Sequence, residues 1–240
     1  MTLTFSGISQ PGTFEWAKHI GGSLFESANS ITVDASGNIY TTGYFDATVD
    51  FDPGSGTSYL SSGGFTDAFI QKLDANGNFL WVKSMGSASG EMGTSIITDV
   101  TGNIYTLGLF QMGTVDFDPG IGVSNLTSNG DVDVFIQKLD ANGDFLWVRQ
   151  IGGVGQDNGS SITLDGSGNL YTVGSFRATV DFDPGAGVSN LTSIGNSDIF
   201  IQKIDANGNF IWVKQIGGTG DNGVSSITLD ASGNIYTIGN

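Results

Sequence analysis

Short hydrophobic runs broken by glycine, asparagine and aspartate recur along the whole chain. In Asn38–Phe45, NIYTTGYF, Ile39 and Phe45 point to one side of an extended backbone and Tyr40 and Tyr44 to the other. Both faces of this segment are therefore apolar. The runs are short, rich in Ile, Val, Thr, Tyr and Phe, and bounded by turn formers, which predicts β-strands.

The strands repeat. Trp16, Trp81, Trp147 and Trp212 lie 65, 66 and 65 residues apart, each in a version of F-x-W-x-K-x-x-G. Aligning on them gives four strands per unit. Strand A is Ser30–Asp34, Ser95–Asp99, Ser161–Asp165 and Ser226–Asp230, and strand B follows as GNIYTTGYF and its copies. A variable excursion carries TVDFDPG at Thr48–Gly54, Thr114–Gly120 and Thr179–Gly185. Strand C is DAFIQKLD and its copies, and strand D holds the tryptophan. The A–B and C–D linkers, Asp34–Asn38 and Asp74–Asn78 with their counterparts, predict tight hairpins of a type I turn plus a glycine bulge. Each unit is then a four-stranded antiparallel meander.

A meander with two apolar faces needs a neighbour on each side. Gly43, Gly108 and Gly174 fall mid-strand, which predicts close approach of an adjacent sheet there. Sheets stacked around an axis meet these demands, so the fold predicted is an all-β β-propeller of four-stranded antiparallel blades. It is one domain over 1–240 with a 65–66-residue repeat, giving three complete blades at 23–86, 87–151 and 152–217. A fourth blade is shared between the termini, with 1–22 supplying strands C and D and 218–240 supplying A and B. Shifted by 65 residues, Leu3, Phe5, Ile8 and Phe14 fall on Ala68, Ile70, Leu73 and Phe79. The same ends also fit an open fragment of a larger propeller.

The charge of −16, from 24 acids and 8 bases, would repel phosphate backbones and argues against nucleic acid as a partner. Cations, glycans or basic proteins fit better, and acids also keep a glycine-rich β-protein soluble. With no cysteine, disulfides and thiolate metal sites are excluded. The first sixteen residues do not read as a signal peptide, and no run approaches the ~20 apolar residues of a membrane span.

Candidate chemistry falls on the rim that carries the longer D–A and B–C connections, because loops on a rigid scaffold carry binding. Asp157, Asn158, Asp221 and Asn222 sit in D–A loops there. Asp50 and Asp52, Asp116 and Asp118, and Asp181 and Asp183 form D-x-D pairs whose carboxylates project to one side and could take Ca²⁺. The other reading of D-F-D-P-G is a turn capped by Asp and fixed by Pro. His19 occupies a position filled elsewhere by Ser84, Gln150 and Gln215 and reads as a surface site. Lys72, Lys138 and Lys203 read as covers for hydrophobic surface. No nucleophile elbow, P-loop, dinucleotide fingerprint or H-E-x-x-H is present, so the chain does not read as an enzyme.

The D-x-x-G-N-x-Y-x-x-G core, the strand C pattern and the closing W-x-x-x-x-G-G together resemble the bacterial β-propeller repeat known as the SBBP repeat, over nearly the whole chain. That resemblance implies a secreted or cell-surface bacterial protein whose propeller is one module of a longer polypeptide. It supplies no catalytic residues. The function expected is a non-catalytic scaffold presenting its long-loop rim to a protein or glycan. The alternatives are a hydrolase or lyase at a central channel, or a Ca²⁺-stabilised adhesion module.

Overall fold

The turns set the frame. In the computed structural model, which describes residues 15–240, Asp34 N–H donates to Asn38 O and Gly37 N–H to Asp34 O, both at 3.0 Å. The Asp34 carboxylate accepts the N–H groups of Ser36 and Asn38 at 2.9 Å. Gly37 takes φ of 82°, a left-handed conformation that a side chain resists. The same clasp recurs at every A–B and C–D turn among the described residues.

These turns join strands β1 (Glu26–Val33) and β2 (Ile39–Phe45), and likewise β5 (Asp67–Leu73) and β6 (Phe79–Met85). The excursion between them folds as a separate small hairpin, β3 (Thr48–Asp50) and β4 (Tyr59–Ser61). The first blade is antiparallel in the order β1-β2-β5-β6. The second repeats it with β7 (Glu91–Thr98), β8 (Ile104–Gln111), β11 (Val132–Leu139) and β12 (Phe145–Ile151), and the hairpin β9 (Thr114–Asp116) and β10 (Asn125–Thr127). The third has β13 (Asn158–Leu164), β14 (Leu170–Phe176), β17 (Asp198–Ile204) and β18 (Phe210–Ile216), with hairpin β15 (Thr179–Asp181) and β16 (Asn190–Thr192). A final pair, β19 (Val224–Leu229) and β20 (Ile235–Gly239), forms a two-stranded sheet.

Core lies between blades. Tyr40, Ile70 and Met85 of the first blade share a cluster with Ile96, Phe110 and Phe135 of the second. Tyr105 and Leu107 of the second meet Ile162 and Phe200 of the third. Tyr171 and Val173 of the third meet Ile227 of β19. A buried side chain of this size contributes roughly 1.5–3 kcal/mol, so each junction is a substantial part of the stability.

The mid-strand glycines serve a different purpose from the one expected. Gly43, Gly108 and Gly174 make room within their own blade. A side chain there would strike the carbonyl of Ser27, Met92 or Asn158 at the strand A bulge and, at the latter two, the ring of Phe135 or Phe200. Close approach between blades occurs instead at Gly93 and Gly159 of strand A, which face Thr42, and Val134 and Leu107.

The split blade is not assembled among the described residues. Met1–Phe14, with the proposed degenerate strand C, lies outside them. Glu15–Ile20, read as strand D, is irregular chain, and Gly21 makes a lone bridge to Asp50. The segment nevertheless holds the outer position: Trp16 and Lys18 stand over Gly77, as Trp81 and Lys83 stand over Gly143. Ile20 packs on the cluster of Phe45, Val49, Phe51 and Phe69.

Candidate functional site

At the long-loop rim, the tryptophan motif ends in Gly-Gly or, in the first blade, Gly86-Ser87. A side chain on Gly86, Gly152 or Gly217 would collide with the carboxyl group of Asp67, Asp133 or Asp198, at the start of strand C. The residue after each of these glycines donates its N–H to an acid or amide that opens strand A. Ser87 gives to Glu91 at 2.8 Å, Gly153 to Asp157 at 2.8 Å, Gly218 to Asn222 at 3.1 Å, and Gly22 to Glu26 at 2.9 Å. Backbone bonds then tie consecutive blades: Glu91 N–H reaches Thr66 O, Asp157 N–H reaches Val132 O and Asn222 N–H reaches Ser197 O.

Two junctions thus place one carboxylate on strand C of a blade beside another on strand A of the next. Burial pushes the Glu91 carboxyl up to about 7, against hydrogen bonds from Ser87, and the charge of Asp67 adds to the rise. Burial likewise pushes Asp157 up to about 6, with Asp133 adding. Asp67 and Asp133 are raised as well, by burial. The Oδ1 atoms of Asp133 and Asp198 are buried and accept no hydrogen bond. At the third junction Asn222 replaces the acid, and no such pair forms.

Asp157, expected on an accessible rim, is therefore wholly buried, because both its oxygens accept backbone N–H groups, from Gly153 and Arg177. Asn158 and Asn222 are half-buried, and Asp221 is exposed.

The D-x-D pairs close the excursion loop. Asp116 Oδ1 accepts the N–H groups of Asp118 at 3.0 Å and Ser124 at 2.8 Å, and Asp118 Oδ1 accepts that of Gly120 at 2.8 Å. Asp50 with Asp52 and Asp181 with Asp183 do the same. Among the described residues, no group of three or more His, Cys, Asp or Glu side chains is placed to hold a metal ion.

The residue between the acids does more for the fold than the acids do. Phe51, Phe117 and Phe182 are buried and pack on Phe69, Phe135 and Phe200, with centroids 4.6–5.0 Å apart. Each phenylalanine carbonyl accepts a 2.6 Å hydrogen bond from the buried Gln71, Gln137 or Gln202 of strand C. The excursion is pinned to its blade at that point.

Beyond these fixed elements the long-loop rim carries exposed apolar side chains. Leu24, Phe25 and Val154 project from D–A loops, and Phe65, Ile121, Val188 and Ile194 from B–C excursions. Val100 is exposed on the short-turn rim. Backbone strain sits on the long-loop rim too: Ala47, Met112 and Ala178 take φ of 60°, 42° and 58° at the corner before the small hairpin.

The short-turn rim is a row of latches, and the strand C lysines do more than cover surface. Lys72 Nζ donates to Ala141 O at 2.9 Å and Lys138 Nζ to Ala206 O at 3.0 Å, each in the C–D turn of the next blade. Both amines also lie over a tyrosine, Tyr40 or Tyr105, 5.0 and 4.8 Å from the ring centroid. Lys203, with no following C–D turn among the described residues, folds back to Asp165 at 3.1 Å.

A family model described as a β-propeller repeat, SBBP, matches residues 15–44 and 146–175. Both matches run from strand D through strand B, so they take in the tryptophan, the paired small residues, the strand A acid and the Gly-Asn-x-Tyr core. The chain is 25% identical over 246 aligned residues to an uncharacterized WD repeat-containing protein of Acanthamoeba polyphaga mimivirus, covering 90% of this chain and 17% of that protein. It is 22% identical over 230 residues to the regulatory protein FlaEY of Caulobacter vibrioides, covering 94% of this chain and 23% of the relative. The chain thus spans about a fifth of the length of the curated relatives it matches. No helix among the described residues is long and apolar enough to cross a membrane. The blades, their order and these matches agree: the chain is an all-β array of four-stranded antiparallel blades that carries matches to the SBBP β-propeller repeat at residues 15–44 and 146–175.

Proposed function

We propose that the protein is a non-catalytic binding scaffold, secreted or at a cell surface, whose long-loop rim engages a protein or glycan. One observation carries this reading: exposed apolar side chains gather on that rim and change from blade to blade. Phe65 stands where Asp131 and Asn196 stand in the other blades, and Val154 where Ala88 and Thr219 stand. A constant framework with variable, rigidly held loops is what a recognition surface needs. The acids with raised pKa have repeat-related structural partners, whereas catalysis calls for different groups converging in one asymmetric site.

The test is a glycan array and a displayed-peptide selection, run on the native chain and two variants. Replacing Phe25, Phe65 and Val154 by serine should abolish the ligands found. Val100→Ser, on the opposite rim, should leave them bound. Ligands that survive the triple change, or that depend on Val100, would sink the proposal.

A further inference from the structure

The blades stack in an arc, β1 against β7, β7 against β13 and β13 against β19, so their long-loop ends form one continuous face. Charge is divided unevenly between that face and the opposite one. Lys72, Lys138 and Lys203 stand at the short-turn end of strand C. Lys18, Lys83 and Arg149, two residues after each tryptophan, reach over Gly77, Gly143 and Gly208 in C–D turns, and Lys214 holds the same position. Of the 8 bases, Arg177 alone lies on the long-loop rim. The short-turn rim is thus near balance, its bases offsetting the aspartates of the A–B and C–D turns. Met1–Phe14 contain no Asp, Glu, Lys or Arg, so most of the formal charge of −16 belongs to the long-loop rim.

Within that rim lies a cleft of about 280 Å³ where the first three blades meet. Met92, Leu109 and Val132 give it apolar walls, and Gln111, Gln156 and Asn158 give it carboxamides. Those three amides make no hydrogen bond to the protein among the described residues, whereas the amides of Gln71, Gln137 and Gln150 are all engaged. Gly90 leaves the cleft open, since a side chain there would come within 2.8 Å of the Gln111 amide nitrogen. Parallel bridges set Gly90 against Thr66, Gln156 against Val132 and Asp221 against Ser197, so the other two junctions carry a side chain at this position. Phe65 and Asp131, both exposed, immediately precede Thr66 and Val132 at the edge of the cleft.

We propose, on the reading of this rim as the binding face, that its partner is a basic polypeptide segment with an arginine or lysine side chain seated in the cleft. The aliphatic stem of that residue covers Met92, Leu109 and Val132, and its N–H groups donate to the carboxamide oxygens. Apolar residues beside it meet Phe65 and Val154. The acids outside the cleft, Asp46, Asp131 and Asp221 among them, attract and orient the segment. A neutral glycan gains nothing from this field, and an anionic one is repelled. The cleft is also smaller than the roughly 300 Å³ at which small-molecule sites begin, which suits one side chain better than an oligosaccharide.

The test begins with peptides selected by display on the native chain. The tightest is measured by fluorescence anisotropy beside a copy with citrulline for every arginine and norleucine for every lysine. The selected peptide should be basic, bind at least tenfold more tightly than its neutral copy, and weaken as salt rises. Asp46→Asn with Asp131→Asn, whose carboxylates make no hydrogen bond to the protein among the described residues, should weaken it about two- to thirtyfold. Gly90→Gln, which gives this junction the side chain of the next, should weaken it about thirtyfold at an unchanged melting temperature. If that change lowers the melting temperature, Gln111→Ala with Gln156→Ala tests the cleft in its place. Asp144→Asn removes a charge from the short-turn rim and should change nothing. Neutral or acidic binders, a neutral copy that binds equally, or glycans bound instead of peptides overturn the basic partner while leaving the rim as the binding face. Affinity unmoved by either the acid changes or the cleft change overturns it too. A rim that binds nothing defeats both proposals.

Discussion

The carboxyl group of Asp133 fills the space that a side chain on Gly152 would need. Gly152 directly follows β12, the neighbour of the strand that carries Asp133, and the same pairing joins Asp67 to Gly86 and Asp198 to Gly217. Gly152→Ala should therefore cost about 1–3 kcal/mol, as overpacking of a dense interior does. Asp133→Ala alone removes the acceptor for Asn129 N–H and for the Gln150 amide. The two changes together should cost less than their sum, because each relieves the other. Denaturant titration of the four proteins checks this, and strict additivity would refute the pairing.

The buried acids make stability depend on pH. The folded pKa of Glu91 is raised from 4.5 to about 7 and that of Asp157 from 3.8 to about 6. A raised carboxyl pKa means the folded state holds the proton more tightly. The contribution is complete below the unfolded pKa and is lost as pH climbs through the folded one. The melting temperature should thus fall between pH 5 and pH 8. The turn aspartates run the other way: burial raises the Asp34 and Asp99 carboxyls, but their hydrogen bonds outweigh it and hold both low. Below about pH 4 their protonation should destabilise the fold. Glu91→Gln should stabilise the protein at pH 8 by about 1–2 kcal/mol and flatten the alkaline slope. Asn222 shows that an amide is accepted at this position. A slope unchanged by Glu91→Gln would contradict the assignment.

The D-F-D-P-G excursion should depend on its phenylalanine more than on any cation. Phe117→Ala is expected to cost about 3–5 kcal/mol. Gln137→Leu should cost about 1–3 kcal/mol by leaving the Phe117 carbonyl unpartnered. Excess chelator should leave the melting temperature where it is, since Asp116 Oδ1 and Asp118 Oδ1 already accept backbone N–H groups. A chelator-induced drop of several degrees would favour the calcium reading.

The lysine latches can be ranked. Lys138→Met loses a bond into the next blade, at about 1 kcal/mol, while Trp147 Nε1 still donates to the Ala206 carbonyl. Lys203→Met loses the tyrosine contact that all three lysines share, and otherwise a partly exposed ion pair, worth roughly 0–1 kcal/mol. Equal effects in thermal melts would count against the latch.

Much of this architecture could be read from the residues because turns and strands are local. The Asp-x-x-Gly-Asn clasp is complete within five residues, and the tryptophan spacing alone gives the blade. The rest depends on contacts across strands and blades. Nothing near Gly152 in sequence announces that Asp133 fills its side-chain space, and Lys72 meets Ala141 at a separation of 69 residues. Asp157 read as a rim residue because an acid in a loop is ordinarily solvated. Its burial follows from two backbone N–H groups, one of them from Arg177 on the far side of the blade's A–B hairpin. The role of Phe117 was open to view: in V-D-F-D the alternation that turns the acids to one side turns the phenylalanine to the other. The acids drew attention because they suggested chemistry, while the ring was core.

Asn222 gives the arc an order of failure. Where the first blade meets the second, and the second the third, two acids compete for one proton-poor interior. Where the third blade meets β19, an amide carries the same backbone bond without charge. On alkalinisation strain should accumulate at the first two joints and bypass the third. The molecule would then part between particular blades before it melts as a whole, and amide exchange at Glu91 and Asp157 should quicken while that at Asn222 keeps its pace.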